Sequence, residues 1–297
     1  MAEATIGRAS SRSRIDRLLE LDDGRRAGVA LYGDPDGAPV FMFHGTPASR
    51  ITFSFLHDRA AQRGVCIVAP DRPGIGLSDD LPNRGILDYP DDVAAIADAL
   101  GHATFAVAGW SLGSAYALAC ADRLGDRVSS VAVISGMGPL DAEGSLEGFG
   151  RTEREALRLT HVAPWLMKPF YRALCTAVRT RPDLALRAIR HSLGTGDRDQ
   201  LGDDDPRKLT AFLVEACRQG PRGIVLDFRL YTFPWGFGLA GIDVPVHVFH
   251  GDDDKTIPAR HAQLIADAIP GSTLTMWPGE GHLGFWRHAD AVLDAIT

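Results

Sequence analysis

The sequence predicts an α/β protein: a doubly wound, mostly parallel sheet of eight strands, with a helical cap inserted after the sixth. Three observations predict it. Short apolar runs alternate with helix-forming stretches up to about residue 137, the rhythm of parallel strands joined by crossover helices. That rhythm lapses over residues 138–241, where helical stretches occur without a convincing buried strand, and it returns at residue 244. Between the fifth apolar run and the helix that follows stands Gly109-Trp110-Ser111-Leu112-Gly113, a G-x-S-x-G pentapeptide placed where a strand turns into a helix.

Each element has its own signal. Residues 1–14 are small, polar and basic and are expected to fray. Residues 15–21 and 28–32 read as two strands about a turn at Asp22-Asp23-Gly24. Residues 39–43 and 65–69 are compact apolar strands with a helix at 51–63 between them. Residues 70–79 are too rich in Pro and Gly for regular structure. Residues 91–100 carry apolar side chains at helical spacing: Val93, Ile96, Ala97 and Leu100. The strand at 104–108 leads through Ser111 into a helix reaching Leu124, and residues 128–134 form the sixth strand. Helices are expected at 146–159, 165–178, 182–191, 206–218 and 223–231, with the acidic run 197–205 as exposed cap surface. A strand at 244–249, a helix at 258–268, a strand at 273–276 and a helix around 284–296 complete the chain. The expected division is a core of residues 1–137 and 242–297 and a cap of residues 138–241. The cap should lie over the carboxyl ends of the strands, where such sheets bind ligands.

Bulk properties exclude several function classes. A hydrophobic content of 45% with 23% charged residues is that of an ordinary soluble globule. A net charge of −7 gives no reason to expect nucleic acid as a partner. No apolar run approaches the roughly 20 residues needed to span a bilayer, and the amino terminus has no apolar signal region, so no membrane partner is expected. Cys66, Cys120, Cys175 and Cys217 are widely spaced without a C-x-x-C, which reads as four free thiols in a cytoplasmic protein. No metal-ligand spacing stands out, and neither a metal nor a cofactor is expected. His44 reads as a loop-pinning residue, and Gly74-Ile75-Gly76 lies in a loop rather than at a dinucleotide-binding turn.

The chemistry lies at strand ends. An alcohol is a weak nucleophile at neutral pH and needs a base within hydrogen-bond reach, which in turn needs a partner to orient it. Asp252, Asp253 and Asp254 follow the strand at 244–249, and His282 follows the strand at 273–276. The order Ser, Asp, His is the one expected on this scaffold.

Five stretches together resemble the α/β-hydrolase superfamily over nearly the whole chain: H-G-T-P at 44–47, D-R-P-G-I-G-L-S-D at 71–79, G-W-S-L-G at 109–113, H-G-D-D-D-K-T-I-P at 250–258 and G-E-G-H at 279–282. The resemblance implies Ser111 as nucleophile, His282 as general base and Asp254 as the triad acid. Its register is three residues after Gly251 and four before Pro258. The resemblance also implies an oxyanion hole from the backbone N–H groups of Leu112 and Thr46. Serine at 111 separates the chain from the haloalkane dehalogenase and epoxide hydrolase branches, which carry Asp there. Proline iminopeptidases show H-G-G-P and G-S-W-G where this chain has H-G-T-P and W-S-L-G. The implied activity is hydrolysis of a small apolar ester or lactone through an acyl-enzyme. Thioester or C–C bond hydrolysis, acyl transfer and cofactor-free peroxidation stand as alternatives on the same triad, and a ligand-binding receptor or carrier as one without it. Trp110, beside Ser111, and Trp165, Trp235 and Phe237 from the cap are the candidate substrate-binding side chains.

Overall fold

Parallel strands covered on both faces need apolar side chains at nearly every position, and the central runs have them. In a computed structural model of the chain, which describes residues 4–6, 14–201 and 206–297, all six residues of β5 (Val65–Pro70) and of β6 (Phe105–Trp110) are buried. They belong to a nine-stranded sheet in the order β1-β2-β3-β5-β4-β6-β7-β8-β9. The other strands are β1 (Ala4–Ile6), β2 (Ile15–Glu20), β3 (Arg26–Gly33), β4 (Ala38–Phe43), β7 (Val128–Ile134), β8 (Val246–Gly251) and β9 (Thr273–Trp277). From β5 to β9 every pairing is parallel, while β1, β2, β3 and β5 pair antiparallel.

The eight expected strands are β2 to β9. The ninth, β1, corrects the expectation of a frayed amino terminus: Ala4, Thr5 and Ile6 pair with Leu18, Arg17 and Asp16. An edge strand offers a free row of backbone donors and acceptors, and three residues suffice to take part of it up. Residues 1–3 and 7–13 of the expected frayed segment lie outside the described residues, and Arg14 pairs with Asp16 at 3.0 Å.

Strand side chains alternate between two cores, as the period of two requires. Phe41 and Phe43 face one side with Val107, Val131 and Val248, against α2 (Tyr89–Leu100), α3 (Gly113–Leu124) and α10 (Arg260–Ala268). Val40 and Met42 face the other with Ala108 and Ile134, against α1 (His57–Gln62) and α11 (Phe285–Ile296). The chain leaves β4 for β5 on one side and then crosses back to β6 on the other. The carboxyl ends of β4 and β6 therefore form the topological switch point, the usual crevice for a ligand.

Between β7 and β8 the described residues form α4 (Arg151–Val162), α5 (Met167–Thr180), α6 (Pro182–Ser192), α7 (Thr195–Leu201), α8 (Pro206–Ala216) and α9 (Arg222–Tyr231), and no strand. This segment has a small core of its own, with Tyr171, Val178, Leu213, Ile224 and Val225. Two expectations fail here. Cys175 and Cys217 form a disulfide, because α5 and the turn after α8 bring their Cα atoms to 5.2 Å; Cys66 and Cys120 remain free thiols. The expected acidic surface run also fails at its first residue: Asp197 lies in α7 and is fully buried. Residues 202–205 of that run lie outside the described residues. Among the described residues no helix is long and apolar enough to cross a membrane.

Candidate active site

Ser111 sits at the turn between β6 and α3 with φ of 57°, the left-handed region that a non-glycine residue adopts only when its surroundings hold it there. The flanking glycines explain how. A Cβ on Gly113 would collide with the carbonyl of Phe43 on β4, and one on Gly109 would collide with the backbone of Gly113. Strand and helix can close on each other only without those side chains. The Ser111 N–H donates to the Ile134 carbonyl at 2.8 Å, which fastens the turn to the neighbouring strand. Leu112 is the N-cap residue of α3, so its amide belongs to the end of the helix where N–H groups lack intrahelical acceptors and the dipole is positive.

The loop after β4 reaches the same turn. A Cβ on Gly45 would stand 3.0 Å from the Ser111 Cβ and 3.2 Å from the Trp110 ring. That loop is held from beneath by charge. Arg72, fully buried, donates through Nη1 to the His44 carbonyl, through Nη2 to the Gly45 carbonyl at 3.0 Å and to Thr46 Oγ1 at 2.6 Å, and through Nε to Asp227 Oδ2 at 2.8 Å. Thr46 Oγ1 donates to the same Asp227 oxygen at 2.9 Å. Arg84 and the Tyr116 hydroxyl satisfy the other oxygen of Asp227. Burial alone would raise the Asp227 carboxyl; the two guanidinium groups hold it well below the usual carboxylate range. His44 is buried against Arg72 and held well below its ordinary value, first by burial and then by that positive charge. It therefore stays neutral and pins its loop as the sequence suggests.

On the far side of the crevice, the loops after β8 and β9 meet. His282 Nδ1 lies 2.8 Å from Asp254 Oδ2. Asp254 Oδ1 accepts the N–H groups of Thr256 and Ile257 at 2.8 and 2.9 Å, so the carboxylate is fixed from behind. His250 Nε2 stands 3.3 Å from Asp254 Oδ2 and 2.9 Å from the Ile257 carbonyl. Burial opposes the charged form of Asp254, but His282 and His250 outweigh it and keep the carboxyl far below its usual range. Burial likewise opposes the imidazolium of His282, while Asp254 overrides it and raises the imidazole above its ordinary value. The neighbouring aspartates face elsewhere: Asp252 accepts the Gly279 N–H at 2.7 Å, and Asp253 pairs with Lys255 at 2.5 Å.

Trp110 joins the two sides. Its Nε1 donates to the His282 carbonyl at 3.2 Å, and its ring lies 5.3 Å from the imidazole and 5.1 Å from Trp286. Buried in this way, it braces the His282 loop. The three aromatics from residues 138–241 fare differently from one another. Trp235 is buried between Tyr231 and Phe237, with ring centroids 6.1 and 5.9 Å away. Trp165 is 60% exposed in an open groove along α5, beside Lys168 and Arg172. The structure therefore gathers Ser111, the Thr46 loop, Leu112 and Trp110 on one side, joined through Trp110 to His282 and Asp254; it does not bury Trp165 in a pocket.

Sequence reasoning missed Arg72, Arg84, Asp227 and Asp197. Arg72 was visible inside the D-R-P-G stretch, but Asp227 follows it by 155 residues and nothing local marks either as a partner. Among the described residues no cluster of three or more His, Cys, Asp or Glu could hold a metal ion.

Comparison with known proteins gives the family. The model of the α/β hydrolase fold family matches residues 38–289. This chain belongs to that family. An uncharacterized protein of Mycobacterium tuberculosis is 27% identical over 293 residues, covering 92% of this chain and 77% of the relative. A non-heme haloperoxidase of Rhodococcus erythropolis is 26% identical over 267 residues, covering 86% of this chain and 89% of the relative. Among solved structures, an esterase from Exiguobacterium antarcticum superposes with a TM-score of 0.71 at 20% identity, covering 93% of this chain and 96% of that one. The chain is thus an α/β-hydrolase.

Proposed function

We propose that this α/β-hydrolase is a serine esterase or lactonase acting on a small apolar substrate through an acyl-enzyme. The observation that carries the reading is the Asp254–His282 pair at 2.8 Å, its carboxylate anchored by two amides and the His282 backbone carbonyl held by the indole that neighbours Ser111. In this reading Ser111 Oγ attacks the carbonyl while His282 takes its proton, with Asp254 fixing the imidazole tautomer. The developing oxyanion is received by the amides of Leu112 and Thr46. His282 then protonates the leaving alcohol, and a water repeats the sequence to free the acid. Residues 138–241 act as a cap over the crevice. Their ties to the core support this: Asp227, Glu215 and Gln219 bond to loops that follow β4 and β5, at the carboxyl ends of the strands.

The test is an activated aryl ester followed in the stopped-flow, with parallel labelling by a fluorophosphonate. A stoichiometric burst followed by turnover, with label on Ser111, is expected. Ser111→Ala should lose label and turnover together, the rate falling by about 10⁴–10⁶. Label retained by Ser111→Ala would move the nucleophile elsewhere, and a burst without turnover would turn the reading toward a receptor. The haloperoxidase relative favours one second reading: hydrogen peroxide in place of the deacylating water. It predicts peracid formation from a carboxylic acid and peroxide on the same Ser111.

A further inference from the structure

The cap carries a buried carboxylate that the scheme above does not use. Asp197, in α7, is fully buried. Its Oδ1 accepts the Leu283 N–H at 2.7 Å, and the adjacent His282 N–H also favours its ionised form. Among the described residues, its buried Oδ2 has no hydrogen-bond partner. A Cβ on Gly281 would collide with the Asp197 carboxylate, so a glycine before His282 is what lets the two approach. The neighbours of Asp197 make the same contact wider. A Cβ on Gly196 would stand 2.8 Å from the Gly279 carbonyl, and one on Gly194 would stand 3.5 Å from the Asp253 carbonyl. Gln200 Nε2 donates to Glu280 Oε2 at 2.6 Å. The residues around α7 are thus fitted against both loops that hold the Asp254–His282 pair.

We propose that Asp197 is a positioning residue: it ties the cap to the His282–Leu283 backbone and fixes the direction in which the His282 imidazole points. The inference rests on the proposed triad and deepens it, because it makes the base depend on a residue of the cap. A carboxylate with a bare buried oxygen is costly where it stands. It gains most when a positive charge appears beside it, and proton transfer from Ser111 creates such a charge on His282. The charges that act on that imidazole are Asp254, at Nδ1, and Asp197, and both favour the cation against burial. The other ionised groups of these loops are engaged elsewhere: Glu280 with Arg287 at 2.7 Å and His288 at 3.3 Å, and Lys255 with Asp253. Burial raises the Asp197 carboxyl, and Asp254 adds to the rise, while the two backbone N–H groups and His282 oppose it.

Asp197→Asn keeps an oxygen for the Leu283 N–H and removes the charge; Asp197→Ala removes both. The measurement is the titration of His282 by histidine-labelled NMR, with its signal assigned by its absence in His282→Asn. It is paired with the pH profile of kcat and KM on the aryl ester. In Asp197→Asn the His282 midpoint should fall by about half a unit to one unit, since a negative neighbour has gone, and the acid limb of kcat should move down with it. KM should stay within about twofold. Hydrogen bonds to charged groups set the scale for Asp197→Ala, about 10–100-fold in kcat. An unchanged His282 midpoint in Asp197→Asn overturns the proposal, whatever the activity, because a merely structural carboxylate would change folding and leave the titration alone. The NMR titration needs no turnover. Should the wild-type protein neither label nor cleave the ester, the esterase reading falls while the His282 midpoint still decides the role of Asp197.

Discussion

Three consecutive aspartates share a loop, and Asp254 is the one that meets His282. Asp254 spends one oxygen on two backbone N–H groups and aims the other at His282 Nδ1. Asp252 instead ties its loop to Gly279, and Asp253 reaches an exposed lysine. Asp254→Asn keeps the shape but favours the wrong imidazole tautomer, a change that costs about 10⁴ in turnover in a serine protease. The expected outcome is a fall of that order in kcat on the aryl ester for Asp254→Asn, and less than about tenfold for Asp252→Asn and Asp253→Asn. A crippled Asp252→Asn protein would place the acid two residues earlier. This much was legible in the sequence because the residues lie within a few positions of a strand end, and strand ends are what periodicity locates. Asp197 was not legible. Its burial comes from the fit of α7 against a loop more than eighty residues away, and an aspartate in an acidic run carries no local sign of that.

Between elements, a fully buried tie is the α9 carboxylate of Asp227. It joins α9 to the loops after β4 and β5 through Thr46, Arg72 and Arg84. Removing one partner from a buried ion pair strands the others without water or counter-charge, which costs about 3–5 kcal/mol. Asp227→Ala should lower the unfolding free energy by that amount in urea titrations, and a loss below about 1 kcal/mol would show that the two arginines find other partners. Activity should fall further than stability alone explains, since the Thr46 loop loses its anchor. The sheet itself was readable down to the glycines of the serine turn, because close strand–helix packing demands them at fixed spacing. Five helices of residues 138–241, α4, α5, α6, α8 and α9, were readable as helical stretches, within about five residues at their ends, whereas α7 was not. Their partners were not, because tertiary ion pairs leave no periodicity.

For the molecule as a whole, protons couple these sites to stability. Buried His261 accepts the Gly138 N–H on Nδ1 at 3.1 Å, and burial lowers it from 6.5 to about 4. His44 is lowered too. The native state then binds fewer protons than the unfolded chain below pH 6.5, so the stability these groups allow falls as pH drops. Asp71, Asp92 and Asp197 are raised, chiefly by burial, and act in the opposite sense above about pH 4, because the native state takes up their protons first. Raised His282 contributes stability that is fully present below pH 6.5 and lost as pH climbs through its folded value. Total stability therefore mixes opposing signs, and a single variant isolates one of them. His261→Gln keeps an acceptor for Gly138 and removes the titration. Its deficit against the wild-type protein, measured by urea unfolding, should be largest at pH 7.5. It should begin to shrink below pH 6.5, where the wild type starts to lose the neutral-imidazole contribution, and by pH 4 it should have narrowed by on the order of 3 kcal/mol, the size of a two-and-a-half-unit displacement. A deficit that stays constant from pH 7.5 to pH 4 would mean that His261 titrates in the folded protein as it does in the unfolded chain.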